Sequence, residues 1–256
     1  MDSRRGFDAL TVGVLTRNSA ELLPGLLRSV PEAAEVVVVD DDSADGTVEL
    51  ARSAGARVVA QDREEIRRHG GNFDLARNQV AEHTTRPWLL FLDADERLTP
   101  EFRDELAAVL DGPTEAVAFD IPRLNLYWGR PVRALGEDLQ RRLVRRGMGR
   151  YRGASLHRPM EVSGPIGRLN HPILHLNVRS WRDVAARFRE RVGIEAAAHP
   201  DRCSLAELVR GPCSLFRYYY LTNRAVLDGA RGLAVSLIYA AEHGAVLWRR
   251  RRADRA

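Results

Sequence analysis

A chain of 256 residues with 45% hydrophobic and 29% charged residues can bury a full core, which excludes the disordered and low-complexity classes. Two cysteines, Cys203 and Cys213, make neither a CxxC pair nor a disulfide framework, so a thiol-metal or disulfide scaffold is excluded and a reducing cytosol is expected. The net charge of +4 hides an asymmetry: residues 1–110 carry 13 Arg against 21 acids, the remainder 26 Arg against 14, and there is no lysine. A basic half attracts phosphates or anionic headgroups. Met1–Phe7 is polar and Arg-bearing, which predicts no secretory leader.

Leu10–Thr16 reads as a buried strand. Ser19 is the expected cap of a helix with Leu22, Leu23, Leu26, Leu27 and Val30 on its apolar face, although Pro24 makes its start irregular. Glu35–Asp40 is a second strand, and Asp45 or Ser43 caps a helix running to about Ala54, stopped by Gly55. Arg57–Gln61 is a third strand, followed by a polar loop through Gly71. Phe73–His83 reads as a helix, Trp88–Asp93 as the fourth strand, and Pro100–Leu110 as a helix with proline in its first turn. Strands that do not alternate, separated by helices, predict an α/β fold with a mostly parallel sheet covered on both faces. Ligands of such sheets bind beyond the carboxyl ends of the strands, so Asp40 and Asp93 are expected to border one crevice.

Beyond residue 115 the pattern changes. Ala116–Leu124 is a further strand, Asn125–Gly136 a loop with Tyr127-Trp128-Gly129, and 137–180 an irregular, site-building stretch rich in Arg, His, Gly and Pro. Trp181–Ala198 reads as a helix and His199–Cys203 as a linker to a final helical segment ending in Arg249–Arg252. The expected division is 1–180, split near 110 into nucleotide-binding and acceptor halves, and a helical extension over 181–256.

Several groupings carry chemistry. In Leu92-Asp93-Ala94-Asp95-Glu96 a continued strand would point Asp93 and Asp95 to one side, and two such carboxylates suit Mg²⁺ or Mn²⁺. Asp40-Asp41-Asp42 needs hydrogen-bond donors to offset its repulsion, which nucleobase and ribose groups supply; an acidic turn with Ser43, Asp45 and Gly46 accounts for it equally. Arg77, near a helix start, can bridge acids and phosphate, or simply lie on the surface. Glu137-Asp138 can remove a proton from a hydroxyl or open a helix. His157, His171 and His175 fall within nineteen residues, where an imidazole could join a metal.

Taken in order, Val39-Asp40-Asp41-Asp42-Ser43-Ala44-Asp45-Gly46-Thr47, Arg77-Asn78 and Leu92-Asp93-Ala94-Asp95-Glu96-Arg97 resemble the family 2 inverting glycosyltransferases of GT-A fold. The likeness is closest to the bacterial branch that holds the lipopolysaccharide-core β-glucosyltransferases, strong over 10–110 and looser to about 180. The resemblance implies that Thr16 and Asn18 line the nucleotide pocket, Asp40 or Asp41 holds the base, Arg77 lies beside it, and Asp93 with Asp95 holds ribose and a metal-bound diphosphate. His175 resembles a histidine often found near that metal, and Asp138, in a stretch like the family's acidic "ED" motif, is the implied catalytic base. Where the branch carries His-Glu this chain has His157-Arg158, and Glu161 is the alternative base.

The implied activity is direct displacement from a nucleotide-diphosphate sugar, a UDP-sugar favoured, onto a saccharide or glycolipid acceptor, aided by a divalent metal. A sugar nucleotidyltransferase would need a Gly-rich phosphate loop that Val12–Arg17 does not supply. A catalytically inactive nucleotide-sugar-binding or scaffold protein is the other reading. Phe216–Tyr220, Gly232–Ala241 and the terminal arginines fit either a packed helix or one lying on the cytosolic face of a membrane, while no nucleic-acid recognition motif accompanies them.

Overall fold

The computed structural model describes residues 6–31, 34–68, 75–152, 160–198 and 203–252. By its contacts the chain forms two compact units, Met1–Leu124 with Leu139–His175, and Asn125–Asp138 with Leu176–Ala256.

The first unit opens with β1 (Leu10–Thr16), α1 (Leu23–Ser29), β2 (Glu35–Asp40), α2 (Thr47–Ser53) and β3 (Arg57–Ala60). It continues through α3 (Arg63–Arg68), α4 (Ala76–Glu82), β4 (Trp88–Asp93), β5 (Glu96–Arg97), α5 (Pro100–Asp111) and β6 (Ala118–Tyr127). After β7 (Arg130–Pro131) come β8 (Leu139–Arg145), β9 (Gly149–Arg150), β10 (Glu161–Val162), β11 (Ile166–Arg168) and β12 (Ile173–Val178). Three helices complete the chain: α6 (Trp181–Ala198), α7 (Leu205–Arg217) and α8 (Gly229–Arg252).

The main sheet runs β3-β2-β1-β4-β8-β6-β12-β5. β1 through β4 pair in parallel, as the unbroken apolar runs predict, and β8 then joins antiparallel to β4. Alternate residues feed opposite faces. Val12, Val14, Val38, Leu90 and Leu92 enter one core, while Val37, Val39, Leu89 and Phe91 enter the other. Each such buried side chain contributes about 1.5–3 kcal/mol, which fixes the register of strands covered on both faces. Gly13 lets α4 lie against β1: a Cβ there would stand 2.2 Å from Val80 Cγ1.

Several local expectations are corrected. α1 starts at Leu23, with Pro24 in its first turn where the missing N–H costs nothing, so Ser19 is not its cap. Gly46, at φ +86°, precedes α2 instead of a capping Asp45 or Ser43. α3 occupies part of the expected loop before residue 71, and the irregular stretch over 137–180 contains the regular strands β8 and β12. The expected helix start at Phe73 lies outside the described residues. Thr99 caps α5 by accepting from Phe102 N at 3.1 Å.

The second unit has its own core of Tyr127, Val132, Ala134, Val178, Ala225 and Val235. α6 has the predicted bounds, and Ser204 with Glu207 forms a capping box at the start of α7.

Candidate active site

Parallel register puts the carboxyl ends of three strands level: Thr16 pairs with Asp40, and Leu15 with Asp93. Asp40 is buried and its carboxylate accepts three protein hydrogen bonds. Oδ2 accepts from Thr16 Oγ1 at 2.7 Å and Ser43 Oγ at 2.6 Å, and Oδ1 from Ser43 N at 2.8 Å. Asn18, at φ +46°, continues the lacing: its N donates to Ser43 Oγ at 2.8 Å and its Oδ1 accepts from Ala44 N at 2.9 Å. Asp45 accepts from Ala20 N at 2.9 Å and from Thr47, whose hydroxyl holds its carboxyl below the usual carboxylate range. The loops after β1 and β2 are thus one hydrogen-bonded rim. Asp41 is buried between Arg17, at 3.2 Å, and Arg63, and Asp42 is exposed, 3.2 Å from Arg63.

At the end of β4 the chain does not continue as a strand. Ala94 and Asp95 form a turn into β5, so strand alternation does not set where Asp93 and Asp95 point. Asp93 accepts from Arg77 Nη2 at 3.0 Å on Oδ1 and from Arg142 Nη2 at 2.7 Å on Oδ2. Glu96 is fully buried, 3.6 Å from Arg142 and 3.5 Å from Arg123, and accepts from Asp93 N at 2.9 Å. Burial raises the Asp93 carboxyl, but the Arg142 and Arg77 charges outweigh it and hold the group well below the carboxylate range. Burial, with the Asp93 charge beside it, pushes Glu96 up.

Asp95 faces elsewhere: its Oδ2 lies 3.3 Å from His175 Nε2, both side chains being largely buried. β12 aligns His175 with Glu96 across the β5 pairing, which fixes this meeting. Two donors at that spacing suit adjacent positions on a hard divalent ion, whose other ligands are usually water and substrate phosphate. Among the described residues no three His, Cys, Asp or Glu side chains gather as a ligand set. Of the three expected ligands, Asp93 has guanidinium groups on both carboxylate oxygens, while Asp95 and His175 face each other. His171 belongs to another structure, with Nδ1 3.0 Å from Glu105 Oε2. His157 and Arg158 lie outside the described residues.

Asn78 clamps Tyr151, donating to its carbonyl and accepting from its N, each at 2.9 Å, while Arg77 stands over the Tyr151 ring at 5.6 Å. Glu161 is exposed and 2.7 Å from Arg152. Asp138 falls in the second unit, where its Oδ2 accepts from Asn125 Nδ2 at 2.8 Å. Sequence reasoning assigned no role to Arg142, Glu96, Arg123, Arg17 or Arg63. A signal existed for Arg142, an arginine beside the buried Leu143-Val144 of a strand, but its acidic partners are 46 to 49 positions away.

A family model described as "Glycosyl transferase family 2" matches residues 11–162. A TPR repeat-containing protein of Synechococcus elongatus is 40% identical over 118 residues, covering 46% of this chain and 28% of that protein. The lipopolysaccharide core biosynthesis glycosyltransferase LpsC of Rhizobium meliloti is 30% identical over 164 residues, covering 62% and 59%. The chain thus matches less than two thirds of the length of either relative. Among solved structures, the mannosyltransferase PcManGT from Pyrobaculum calidifontis, in complex with GDP-Man and Mn²⁺, aligns over 95% of this chain and 86% of its own. Its TM-score is 0.51 at 16% identity, a likeness of fold.

Proposed function

Because the chain belongs to glycosyl transferase family 2 and has the GT-A fold, we propose that it transfers a sugar from a nucleotide-diphosphate sugar to a saccharide or lipid-linked acceptor, with inversion. The observation that carries this reading is the level row of Thr16, Asp40 and Asp93 at the carboxyl ends of parallel strands, next to the Asp95–His175 pair.

In this reading Thr16, Asn18, Asp40, Asp41, Arg77 and Asp93 face the nucleotide. The rim they build is prearranged by protein hydrogen bonds, so little ordering remains to be done on binding. Asp95 and His175 would hold a divalent cation, Mg²⁺ or Mn²⁺, which would supply charge to offset the leaving diphosphate. Arg142 and then Arg77 keep Asp93 ionised, and Arg77 adds positive charge at the same strand end. By the family resemblance Asp138 is the proposed base for the acceptor hydroxyl, the reaction being a single displacement with no covalent enzyme intermediate.

The family resemblance supports a UDP-sugar as donor, and the part LpsC plays in lipopolysaccharide core biosynthesis supports a lipid-linked saccharide as acceptor. A membrane surface is the proposed setting, on its cytosolic face. No helix among the described residues is long and apolar enough to cross a membrane. Yet Leu227, Leu233, Leu237 and Trp248 are exposed on and just before α8, which ends in Arg249–Arg252.

Thermal shift against UDP-, GDP- and dTDP-sugars with and without Mn²⁺ tests the donor reading, followed by release of nucleoside diphosphate. No shift with any nucleotide sugar would end it.

A further inference from the structure

Within the second unit four polar side chains are linked by three hydrogen bonds that run in one sense. Arg187, on α6, donates from Nη1 to Asn177 Oδ1 at 2.6 Å. Asn177, on β12, donates from Nδ2 to Asn125 Oδ1 at 3.3 Å. Asn125, on β6, donates from Nδ2 to Asp138 Oδ2 at 2.8 Å. Both asparagines are buried, with 4% and 9% of their surface exposed, beside the apolar Tyr127 and Val178.

The polarity of this chain follows from its ends. A guanidinium can only donate, so the Asn177 atom that meets Arg187 is its oxygen, and its amide nitrogen must point onward. Asn125 then presents its own oxygen to Asn177 and its nitrogen to Asp138. An ionised carboxylate only accepts, so the far end closes with matching polarity. Buried amides cost free energy unless bonded, and here each amide bonds the next link in a single sense. The bond from Asn125 sets the direction in which the Asp138 carboxylate points.

We propose that Asn125 is a positioning residue for Asp138, aiming its carboxylate, with Asn177 and Arg187 locking Asn125 in the donating orientation. This rests on Asp138 being the base, as read above. Asn125 itself touches no reacting atom.

The test uses the full chain with Mn²⁺ and UDP-glucose, or the GDP or dTDP analogue if thermal shift selects it, and measures release of nucleoside diphosphate. Asn125→Leu should lower kcat about 10- to 100-fold, the range found when a partner that orients a site residue is removed, with the donor KM within about threefold. Asn125→Asp keeps the shape but loses the donor, so it should lose at least as much and guards against a packing artefact. In an Asp138→Asn background, Asn125→Leu should have no further effect. A kcat within twofold of wild type for both Asn125 variants overturns the proposal, as does an Asn125→Leu loss that persists in the Asp138→Asn background. If Asp138→Asn alone leaves the rate intact, the base assignment fails, a different result from either of these.

Discussion

Arg142 donates from Nη2 to Asp93 Oδ2 at 2.7 Å and stands 3.6 Å from Glu96, so one buried guanidinium joins the last residue of β4 to the first of β5. The turn at Ala94-Asp95 lies between those two acids. Arg142 therefore fixes the ends of the turn that delivers Asp95 to His175. A sheet strand of unrelated sequence position, β8, thereby shapes the acidic motif.

Replacing Arg142 with Met leaves the buried Glu96 and the half-buried Asp93 without their shared cation. Loss of one partner from a buried ion pair costs about 3–5 kcal/mol. Urea unfolding should show that loss for Arg142→Met and a smaller one for Asp93→Asn, which leaves Glu96 to balance Arg142. Equal stabilities for wild type and Arg142→Met would contradict the network.

Asp95→Ala and His175→Ala should each abolish Mn²⁺-dependent stabilisation in thermal shift with a nucleotide sugar, and reduce donor hydrolysis at least 100-fold, about 2.7 kcal/mol. Wild-type behaviour of either variant would remove it from the cation site. Asp42→Ala, an exposed carboxylate, should stay near wild type in both assays.

Glu105 on α5 ties down the turn before β12. It accepts from Asn170 N and His171 N at 2.9 and 2.8 Å. Burial raises its carboxyl, but these amide donors outweigh that and leave it below the ordinary 4.5. A lowered folded-state value means that the stabilisation is present above the ordinary value and fades as pH falls through the folded one. Glu105→Gln should therefore cost about 1–2 kcal/mol at pH 7. The gap in Tm between the two proteins should narrow as pH falls below the ordinary 4.5 through the lowered folded-state value, and a gap that does not narrow on acidification would contradict the assignment.

Gly13→Ala drives a methyl group into Val80 and should cost about 1–3 kcal/mol. Val80→Ala makes room for it, so the two changes together should cost less than their separate costs added. Strict additivity would show that α4 does not press on β1 at this point.

Much of the first unit was legible in the chain. Val36–Val39 and Leu89–Leu92 are apolar at every position, which only a strand buried on both faces tolerates, and their carboxyl ends came out level as expected. The region after residue 137 was less legible. β8 reads Leu139-Gln140-Arg141-Arg142-Leu143, and arginine in a strand interior looks like surface until its acidic partners are known.

Sequence alone determined the parallel strands, the family likeness and the candidate acids, because periodicity and short motifs are local properties. The partners of those acids were decided by tertiary structure. Asp93 went to Arg77 and Arg142, Asp95 to His175, and Asp138 to Asn125, across separations of 13 to 80 residues. Electrostatic pairing depends on distance in space and on burial, and neither is written in the order of residues.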